Sequence, residues 1–395
     1  MTPAARWAAA AQILDEITSG TAAEKALTNW ARRSRFAGSK DRAAIRDHVY
    51  DIVRCWRSTA ALGGGTSGRH LVLGRLRQTG IDPDAVMSGQ GYGLEPLTDA
   101  ERVGGRTPEG ADAADVPDWL HERITQDLGS DASEYFDAMK TRAPVFLRVN
   151  TLKTNVSEAQ DVLFASGIST VTHPLSSNAL QVTDGARRVA QSAAFASGLV
   201  ELQDVASQAV VDALPLKKGH RVLDYCAGGG GKSLAMAARL NGPIEAHDAD
   251  SRRMKDIPIR AERAGARVTC VTRPVGEYDL VLCDAPCSGS GAWRRSPEGK
   301  WRLSPEQLDK IRSSQAIILD KAEQFVKPDG FLVYATCSVL NSENEDQIDR
   351  FLEHQTVWTC LEKRRFSPTD GGDGFFLAIL TRTESENTPL KCGLI

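Results

Sequence analysis

The chain has 395 residues, a net charge of −3 at pH 7 and eight cysteines. This length favours two or three domains over one. No apolar N-terminal signal is evident, and no apolar run approaches the roughly 18 residues that a membrane helix needs. No Cys-x-x-Cys pair is present to hold zinc, and the cysteines lack the spacing of a small disulfide framework. The sequence therefore predicts a reduced, soluble, cytoplasmic protein without a membrane partner or a resident metal.

The first part of the chain is basic. Residues 1–78 hold thirteen Lys and Arg against six Asp and Glu. Apolar residues such as Ile13, Leu14 and Ile17 recur at helical spacing, so a helical domain is predicted for residues 1–140. Its positive charge suits a polyanion, although an ordinary solvated face is an open alternative. A stretch rich in Gly, Asp, Pro and Ala at about 88–115 predicts a long surface loop.

The pattern changes after residue 140. Short strands and a helix predict a small α+β subdomain over residues 141–210. Strands and helices then alternate, which predicts an α/β core with a parallel sheet over residues 211–385, followed by a tail at 386–395. The core strands are predicted at 221–224, 244–246, 266–271, 280–282, 330–335 and 375–378.

Two cysteines follow two of these predicted strands. Cys287 lies in residues 284–291 (DAPCSGSG) and Cys337 in residues 334–338 (YATCS). Because ligands bind at the carboxyl ends of the strands of an open α/β sheet, both thiols are expected at the functional edge. Free cysteines usually pack as small hydrophobes. Here each is followed by a polar or Gly-rich loop instead, which favours covalent catalysis.

A glycine-rich loop, residues 224–232 (DYCAGGGGK), follows the first core strand. Its glycines permit a tight turn and a close approach to a ligand, and the next helix offers its positive amino end. A phosphate-binding P-loop would require glycine at position 226, which is Cys226. Asp248 follows the second strand and suits ribose hydroxyls. The pattern favours an adenosyl ligand without a pyrophosphate, and S-adenosylmethionine is the leading candidate. A glycine turn that serves packing alone stays an alternative.

Taken in series, several segments resemble the motifs of the RNA 5-cytosine methyltransferases of the RsmB/Sun (Nop/Sun) family. They are residues 147–153 (LRVNTLK), 203–208 (QDVASQ), 224–232, 284–291, 295–297 (RSP), 334–338, 343–345 (ENE) and 373–376 (DGFF). The basic helical region resembles the NusB-like RNA-binding domain of the bacterial ribosomal RNA branch. The resemblance implies a Rossmann-like, S-adenosylmethionine-dependent methyltransferase core, a small α+β RNA-binding subdomain and an N-terminal all-α NusB-like domain.

The same resemblance implies methylation of cytosine carbon 5 in RNA, with 16S ribosomal RNA of the small subunit favoured. Cys337 is implied as the nucleophile and Cys287 as the residue that assists elimination. Asp284 is implied to hydrogen-bond the cytosine, with Lys232 beside it. The implied cofactor contacts are Cys226, Ala227, Gly228, Gly229, Gly230, Gly231, Lys232, Asp248, Arg253 and Asp284. The cations expected to contact RNA are Arg148, Lys153, Arg294, Arg295 and Lys300.

Two departures from the family's pattern concern the cofactor. Gly228 and Gly229 stand where Ala-Pro is usual, which predicts a more flexible loop. Thr272 follows the third strand where the family has an Asp that contacts adenine, so adenine recognition is left open. Methylation of transfer RNA and a non-catalytic RNA-binding assembly factor of the same fold are the alternatives. The intact pair of thiols argues against the second.

Overall fold

The computed structural model describes residues 1–383, which fall into two compact units. Unit 1 contains residues 1–143 and 292–303, and unit 2 contains residues 144–291 and 304–383. The sequence predicts a core over residues 211–385 that includes residues 292–303, whereas the structure groups residues 292–303 with the helical unit. The predicted tail at 386–395 lies outside the described residues. Within residues 1–383, no helix has both the length and the apolar character to cross a membrane.

Unit 1 is helical. Its helices are α1 Pro3–Thr18, α2 Ala23–Arg33, α3 Ser39–Arg54, α4 Trp56–Gly63, α5 Gly68–Thr79, α6 Pro83–Val86, α7 Asp99–Val103, α8 Gly110–Ala114, α9 Asp118–Leu128, α10 Ala132–Lys140 and, from the later segment, α16 Glu298–Arg302. The Thr2 side chain accepts from the Ala5 N–H at the start of α1, and Gly80 ends α5 in the left-handed conformation (φ +70°). The apolar stripes seen in the sequence form its core, with Ile13 and Leu14 fully buried.

The segment at 292–303 is fixed in unit 1 by buried polar groups. Lys300 is fully buried, and its ammonium donates to the Arg54 carbonyl at 2.8 Å. The Trp301 indole donates to the Val53 carbonyl, also at 2.8 Å. Burial lowers the pKa of Lys300 to about 8. These contacts correct the expectation that Lys300 holds RNA, because its head group satisfies the end of α3 instead.

The neighbouring cations Arg294 and Arg295 differ in exposure. Arg294 is only 3% exposed, so the expectation that it contacts RNA is also wrong in this structure. Arg295 is exposed, and its predicted contact with RNA stays a prediction. Burial separates the two arginines although their side chains have the same chemistry.

The region at 88–115 is more ordered than its composition predicted. It contains α7 and α8, and the Arg69 guanidinium pairs with Glu101 in α7 at 2.6 Å. Arg77 donates to the Gly104 carbonyl at 2.8 Å. Asp115 is fully buried and accepts from the Ser58 N–H and hydroxyl at 2.9 and 2.7 Å. The expected loop therefore contains two short helices and is held to the rest of unit 1 by polar contacts.

Unit 2 begins with a small α+β subdomain. Its elements are β1 Val145–Val149, α11 Val156–Ala165, β2 Ser169–His173, β3 Ser176–Asp184, α12 Ala193–Ala196 and β4 Val200–Leu202. The strands form an antiparallel sheet in the order β2-β3-β1-β4. Its apolar face, which includes Leu147 and Leu180, packs on Leu163 of α11. Both the subdomain and its α+β character agree with the sequence pattern.

The larger part of unit 2 is the predicted Rossmann-like core. Its elements are α13 Val205–Ala213, β5 Val222–Asp224, α14 Gly231–Leu240, β6 Ile244–Ala246, α15 Ile257–Ala264, β7 Val268–Cys270, β8 Tyr278–Asp284, α17 Pro305–Ala322, β9 Val326–Thr336, α18 Glu345–His354, β10 Trp358–Phe366 and β11 Phe375–Arg382. The sheet order is β10-β11-β9-β8-β5-β6-β7. Strands β5 to β9 pair in parallel, so the α/β class is confirmed.

Strand β10 is the one core strand that the sequence analysis missed. It lies at the edge of the sheet and pairs antiparallel with β11. Charged residues 362–365 (EKRR) break its apolar pattern. Charged side chains on an edge strand discourage pairing with another molecule. The same charges hide the apolar pattern by which a strand is predicted from sequence.

Candidate functional site

The functional edge of the core collects side chains from three adjacent parallel strands. Asp224 ends β5, Asp284 ends β8, and Cys337 directly follows β9. Leu223 and Val281 anchor two of these strands because their side chains are fully buried. The strand order β9-β8-β5 therefore gathers residues that are more than 100 positions apart in the chain.

The glycine loop turns sharply between β5 and α14. Gly228 and Gly230 have φ angles of +51° and +79°, a region that residues with a side chain rarely adopt. A Cβ atom on Gly230 would lie 2.7 Å from the Ile257 side chain. The Ala227 N–H donates to the His247 carbonyl at 2.8 Å, which ties the loop to the neighbouring strand end. Glycine is thus required here by both conformation and space.

Asp248 orders this loop. It is 5% exposed and accepts from the Gly228 N–H at 3.0 Å through Oδ2. The same oxygen lies 3.1 Å from Nη1 of Arg253, and Oδ1 accepts from the Asp250 N–H at 2.9 Å. The carboxylate therefore couples Arg253 to the loop. Its predicted contact with ribose hydroxyls stays a prediction.

The two cysteines meet in the structure. Their sulfur atoms are 3.3 Å apart, which is a hydrogen-bonding distance for two thiols and too long for a disulfide. The pKa of Cys287 is raised well above its ordinary value, first by its hydrogen bond with Cys337 and then by burial. Cys287 therefore holds its proton and can donate it towards the Cys337 sulfur.

A lysine and an aspartate form an ion pair beside the thiols. Nζ of Lys232 lies 2.7 Å from Oδ2 of Asp284. The Lys232 side chain is almost fully buried and lies 4.7 Å from the centre of the Phe375 ring, while the Asp284 side chain is 31% exposed. The Asp284 carboxylate therefore has a fixed orientation, because it pairs with the buried Lys232 ammonium. The Phe375 ring in turn holds that ammonium in place.

These groups line one cleft of about 540 Å³ in unit 2. Its lining residues are Gln203, Ser207, Cys226, Ala227, Gly228, Gly229, Gly231, Lys232, Arg253, Asp284, Ala285, Pro286, Cys287 and Cys337. Gly230 and Asp248, two of the expected cofactor contacts, are absent from this lining, and so are residues 272–276. The structure therefore brings the thiols, the Lys232–Asp284 pair and most of the glycine loop to one place.

The cleft fits a small adenosyl ligand. Its volume is in the range of ligand pockets, roughly 300–1,000 Å³, and glycine backbone forms one wall. Asp224 behind this wall is 1% exposed, and its Oδ1 atom has no hydrogen-bond partner in the described structure. An unsatisfied buried polar atom at the end of β5 is a place where an ordered water or a polar ligand group would be stabilised.

Asp224 also makes the stability of the folded protein depend on pH. Burial raises its pKa from an ordinary 3.8 to about 7. Between pH 4 and 7 the folded protein keeps a proton that the unfolded chain has lost, so this group makes stability fall as pH rises through that window. In Asp224→Asn, the free energy of unfolding should no longer decrease between pH 4 and 7. At pH 8 it should exceed that of wild type by roughly a few kcal/mol. Denaturant unfolding of the ligand-free proteins at pH 5 and pH 8 measures it, and an equal difference at both pH values would contradict the assignment.

The two cations of the subdomain that were expected to contact RNA are already engaged. Arg148 is 7% exposed and donates to the Gly231 carbonyl at 2.7 Å and to the Gln203 side chain. Burial lowers its pKa to about 10, so it stays charged at neutral pH. Arg148 thus braces the glycine loop, which corrects the expectation of a phosphate contact. The Lys153 ammonium donates to the Ser197 and Arg263 carbonyls at 2.9 and 2.6 Å, although the residue is exposed overall.

Sequence reasoning gave no role to two buried residues next to the thiols. Glu343 and Gln315 are both fully buried, and the Gln315 amide donates to Glu343 at 3.1 Å and to the Pro286 carbonyl at 3.0 Å. The segment at 343–345 was noticed only as part of a motif. Gln315 lies in the middle of α17, where the sequence carries no signal of its contact with the site.

The chain is similar to proteins of known family. A family model described as 16S rRNA methyltransferase RsmB/F matches residues 211–381, and a second, the ferredoxin-like domain of RsmF/B-like methyltransferases, matches residues 116–188. Ribosomal RNA small subunit methyltransferase B of Xanthomonas campestris pv. campestris is 33% identical over 334 residues, which are 78% of this chain and 73% of the relative.

Solved structures share the fold. The crystal structure of PH0851 is 24% identical, with a TM-score of 0.75 and coverage of 97% of this chain and 99% of that one. A methyltransferase homologue from Pyrococcus horikoshii is 25% identical, with a TM-score of 0.62 and coverage of 70% of this chain and 98% of that one.

Proposed function

Since this chain belongs to the RsmB/F methyltransferase family, we propose that it methylates carbon 5 of a cytosine in small-subunit ribosomal RNA through a covalent bond to Cys337. The observation that carries the chemistry is the pair of sulfur atoms, 3.3 Å apart, in the cleft walled by the glycine loop. Ribosomal RNA is favoured over transfer RNA by the relatives, which are named as ribosomal RNA small subunit methyltransferases. A cytoplasmic location follows from that substrate.

S-Adenosylmethionine is the cofactor, and it supplies an electrophilic methyl group when bound. The residues that would hold it are those of the glycine loop, with Arg253 and Asp248 behind it. Arg148 and Asp248 keep the loop in its turned conformation through contacts with Gly231 and Gly228. Because the loop is held from both sides, its backbone N–H groups are oriented before a ligand arrives.

The first step of the proposed reaction belongs to Cys337. Carbon 5 of cytosine is a weak nucleophile, so the Cys337 thiolate adds to carbon 6 and carbon 5 becomes an enamine-like centre that attacks the methyl group. The Asp284 carboxylate accepts a hydrogen bond from the cytosine amino group and so orients the base, and Lys232 fixes that carboxylate through their ion pair.

The second step belongs to Cys287. After methyl transfer, a solvent water takes the proton from carbon 5, and the electron pair of that C–H bond forms the carbon 5–carbon 6 double bond and expels the Cys337 sulfur as a thiolate. The Cys287 thiol is protonated and 3.3 Å from that sulfur, so it can donate a hydrogen bond to the departing thiolate. Two cysteines are therefore used in sequence, one to form the adduct and one to release it.

The target base must leave its stack to reach the cleft, because carbon 6 is inaccessible within a helix. Opening a base costs roughly a few kcal/mol, and single-stranded or mismatched nucleotides cost least. An unpaired cytosine of the RNA is therefore the expected target.

Nucleoside analysis tests this proposal. The full-length protein, incubated with S-adenosylmethionine and unmodified small-subunit RNA, is expected to produce 5-methylcytidine in that RNA. Bulk transfer RNA is the matched control and is expected to remain unmodified. Methyl groups found on another base, or only on transfer RNA, would contradict the proposed substrate.

A further inference from the structure

We propose that Glu343 is a positioning residue that holds the loop of Cys287 and the loop of Cys337 in a fixed position relative to each other. The inference rests on the proposed function, since it assumes that both thiols act on the same base. It concerns a residue outside the lining of the cleft, so Glu343 acts through the two loops and not by touching the substrate.

Glu343 bridges the two cysteine loops through the serine that follows each cysteine. Its Oε1 atom accepts from the Ser288 N–H at 2.8 Å and from Gln315 at 3.1 Å. Its Oε2 atom accepts from the hydroxyls of Ser288 and Ser338. One carboxylate thus contacts the residue after Cys287 and the residue after Cys337.

Together with its neighbours Asn344 and Gln315, Glu343 forms a hydrogen-bonded frame around the two cysteines. Asn344 accepts from the Thr336 hydroxyl at 2.6 Å and donates to the Ser338 carbonyl at 2.9 Å. The Tyr334 hydroxyl donates to the backbone carbonyl of Glu343 at 2.7 Å, which fixes the frame to β9. Since Gln315 also donates to the Pro286 carbonyl, the frame contacts residues on both sides of each cysteine.

The chemistry of a buried carboxylate explains why the frame is stiff. Glu343 is fully buried, and its carboxylate accepts from neutral donors on Ser288, Gln315 and Ser338. An unpaired buried charge is costly unless hydrogen bonds satisfy it, and bonds to a charged acceptor are about twice as strong as neutral ones. The donors from Ser288, Ser338 and Gln315 therefore remain oriented at the carboxylate, and a shift of either loop would break such bonds.

The negative charge has a second consequence. The charge of Glu343 adds to the hydrogen bond and the burial that raise the pKa of Cys287. It therefore helps to keep Cys287 a thiol while Cys337 acts as the nucleophile. The carboxylate therefore controls the spacing of the two sulfur atoms and favours the thiol form of Cys287.

Glu343→Gln in the full-length protein tests this role. The shape is preserved, but the charge and one acceptor are lost. We expect kcat to fall by about 10- to 100-fold, with KM for RNA and for S-adenosylmethionine within about threefold of wild type. Glu345→Gln is the matched control, because Glu345 pairs with Arg365 at the surface, and it should retain wild-type kcat. An unchanged kcat in Glu343→Gln would overturn the proposal.

A second measurement needs neither RNA nor turnover. In a Cys337→Ser background, the rate of iodoacetamide alkylation at Cys287 is followed against pH by peptide mass spectrometry. Glu343→Gln should shift this profile to lower pH, because a nearby negative charge is removed. An unshifted profile would reduce Glu343 to a structural residue. This readout separates the positioning role from the proposed function, which fails instead if wild type makes no 5-methylcytidine.

Single-serine variants keep the proposal testable if Glu343→Gln does not fold. Ser288→Ala and Ser338→Ala each remove one hydroxyl that donates to Glu343. Each is expected to lower kcat by about 3- to 10-fold. If both retain wild-type kcat, the frame does not position the thiols.

Discussion

Cys337→Ala is expected to lose methyl transfer by at least about 10³-fold, which corresponds to about 4 kcal/mol in the barrier. Without the thiolate, carbon 5 of cytosine is not activated, and the methyl group has no acceptor of sufficient nucleophilicity. The variant should also form no denaturant-stable adduct with RNA. Transfer of labelled methyl from S-adenosylmethionine to small-subunit RNA measures the loss.

The control for this variant is another thiol of the same unit. Cys270 ends β7, is exposed and lies outside the cleft, so Cys270→Ala should retain wild-type activity. Binding of S-adenosylmethionine to Cys337→Ala should remain within about threefold of wild type, since the glycine loop is untouched. Substantial residual methyl transfer by Cys337→Ala would mean that another group attacks the base.

Cys287→Ala is expected to have the opposite effect on the adduct. The Cys337 thiolate still adds to carbon 6 and the methyl group is still transferred, but the adduct is no longer resolved efficiently. Turnover should fall by at least about 10²-fold, while a protein–RNA band resistant to denaturant accumulates on a gel. The physical reason is the loss of the thiol that lies 3.3 Å from the departing sulfur.

The double variant Cys287→Ala/Cys337→Ala is the matched control for adduct formation, and it should show no such band. If Cys337→Ala traps RNA and Cys287→Ala does not, the roles of the two cysteines are exchanged. Equal phenotypes for both single variants would contradict the sequential use of two thiols.

The sequence was sufficient to predict that the two cysteines and the glycine loop lie at one edge of the sheet. Cys287, Cys337 and the glycine loop each follow a predicted strand, and a parallel sheet has its carboxyl ends on one edge. Their meeting in a single cleft therefore follows from topology alone. The 3.3 Å separation of the sulfur atoms does not, because it depends on how two loops pack.

The sequence did not reveal which charged side chains are buried. Lys300, Arg294 and Arg148 were expected to contact RNA, yet they are 0%, 3% and 7% exposed. A cation that satisfies a backbone carbonyl has the same sequence signature as one that contacts phosphate. Glu343 shows the same limit for an acid, since its partners come from three separate segments.

The most direct test of the central claim uses small-subunit RNA in which cytosine is replaced by 5-fluorocytosine. A base can remove hydrogen from carbon 5 as a proton but cannot remove fluorine in the same way. Elimination is therefore blocked, and the covalent adduct of the wild-type protein persists. The adduct is digested, and the peptide that carries the nucleotide is identified by mass spectrometry. The structure and the proposed reaction predict the nucleotide on Cys337, whereas a nucleotide on Cys287, or no adduct at all, would contradict them.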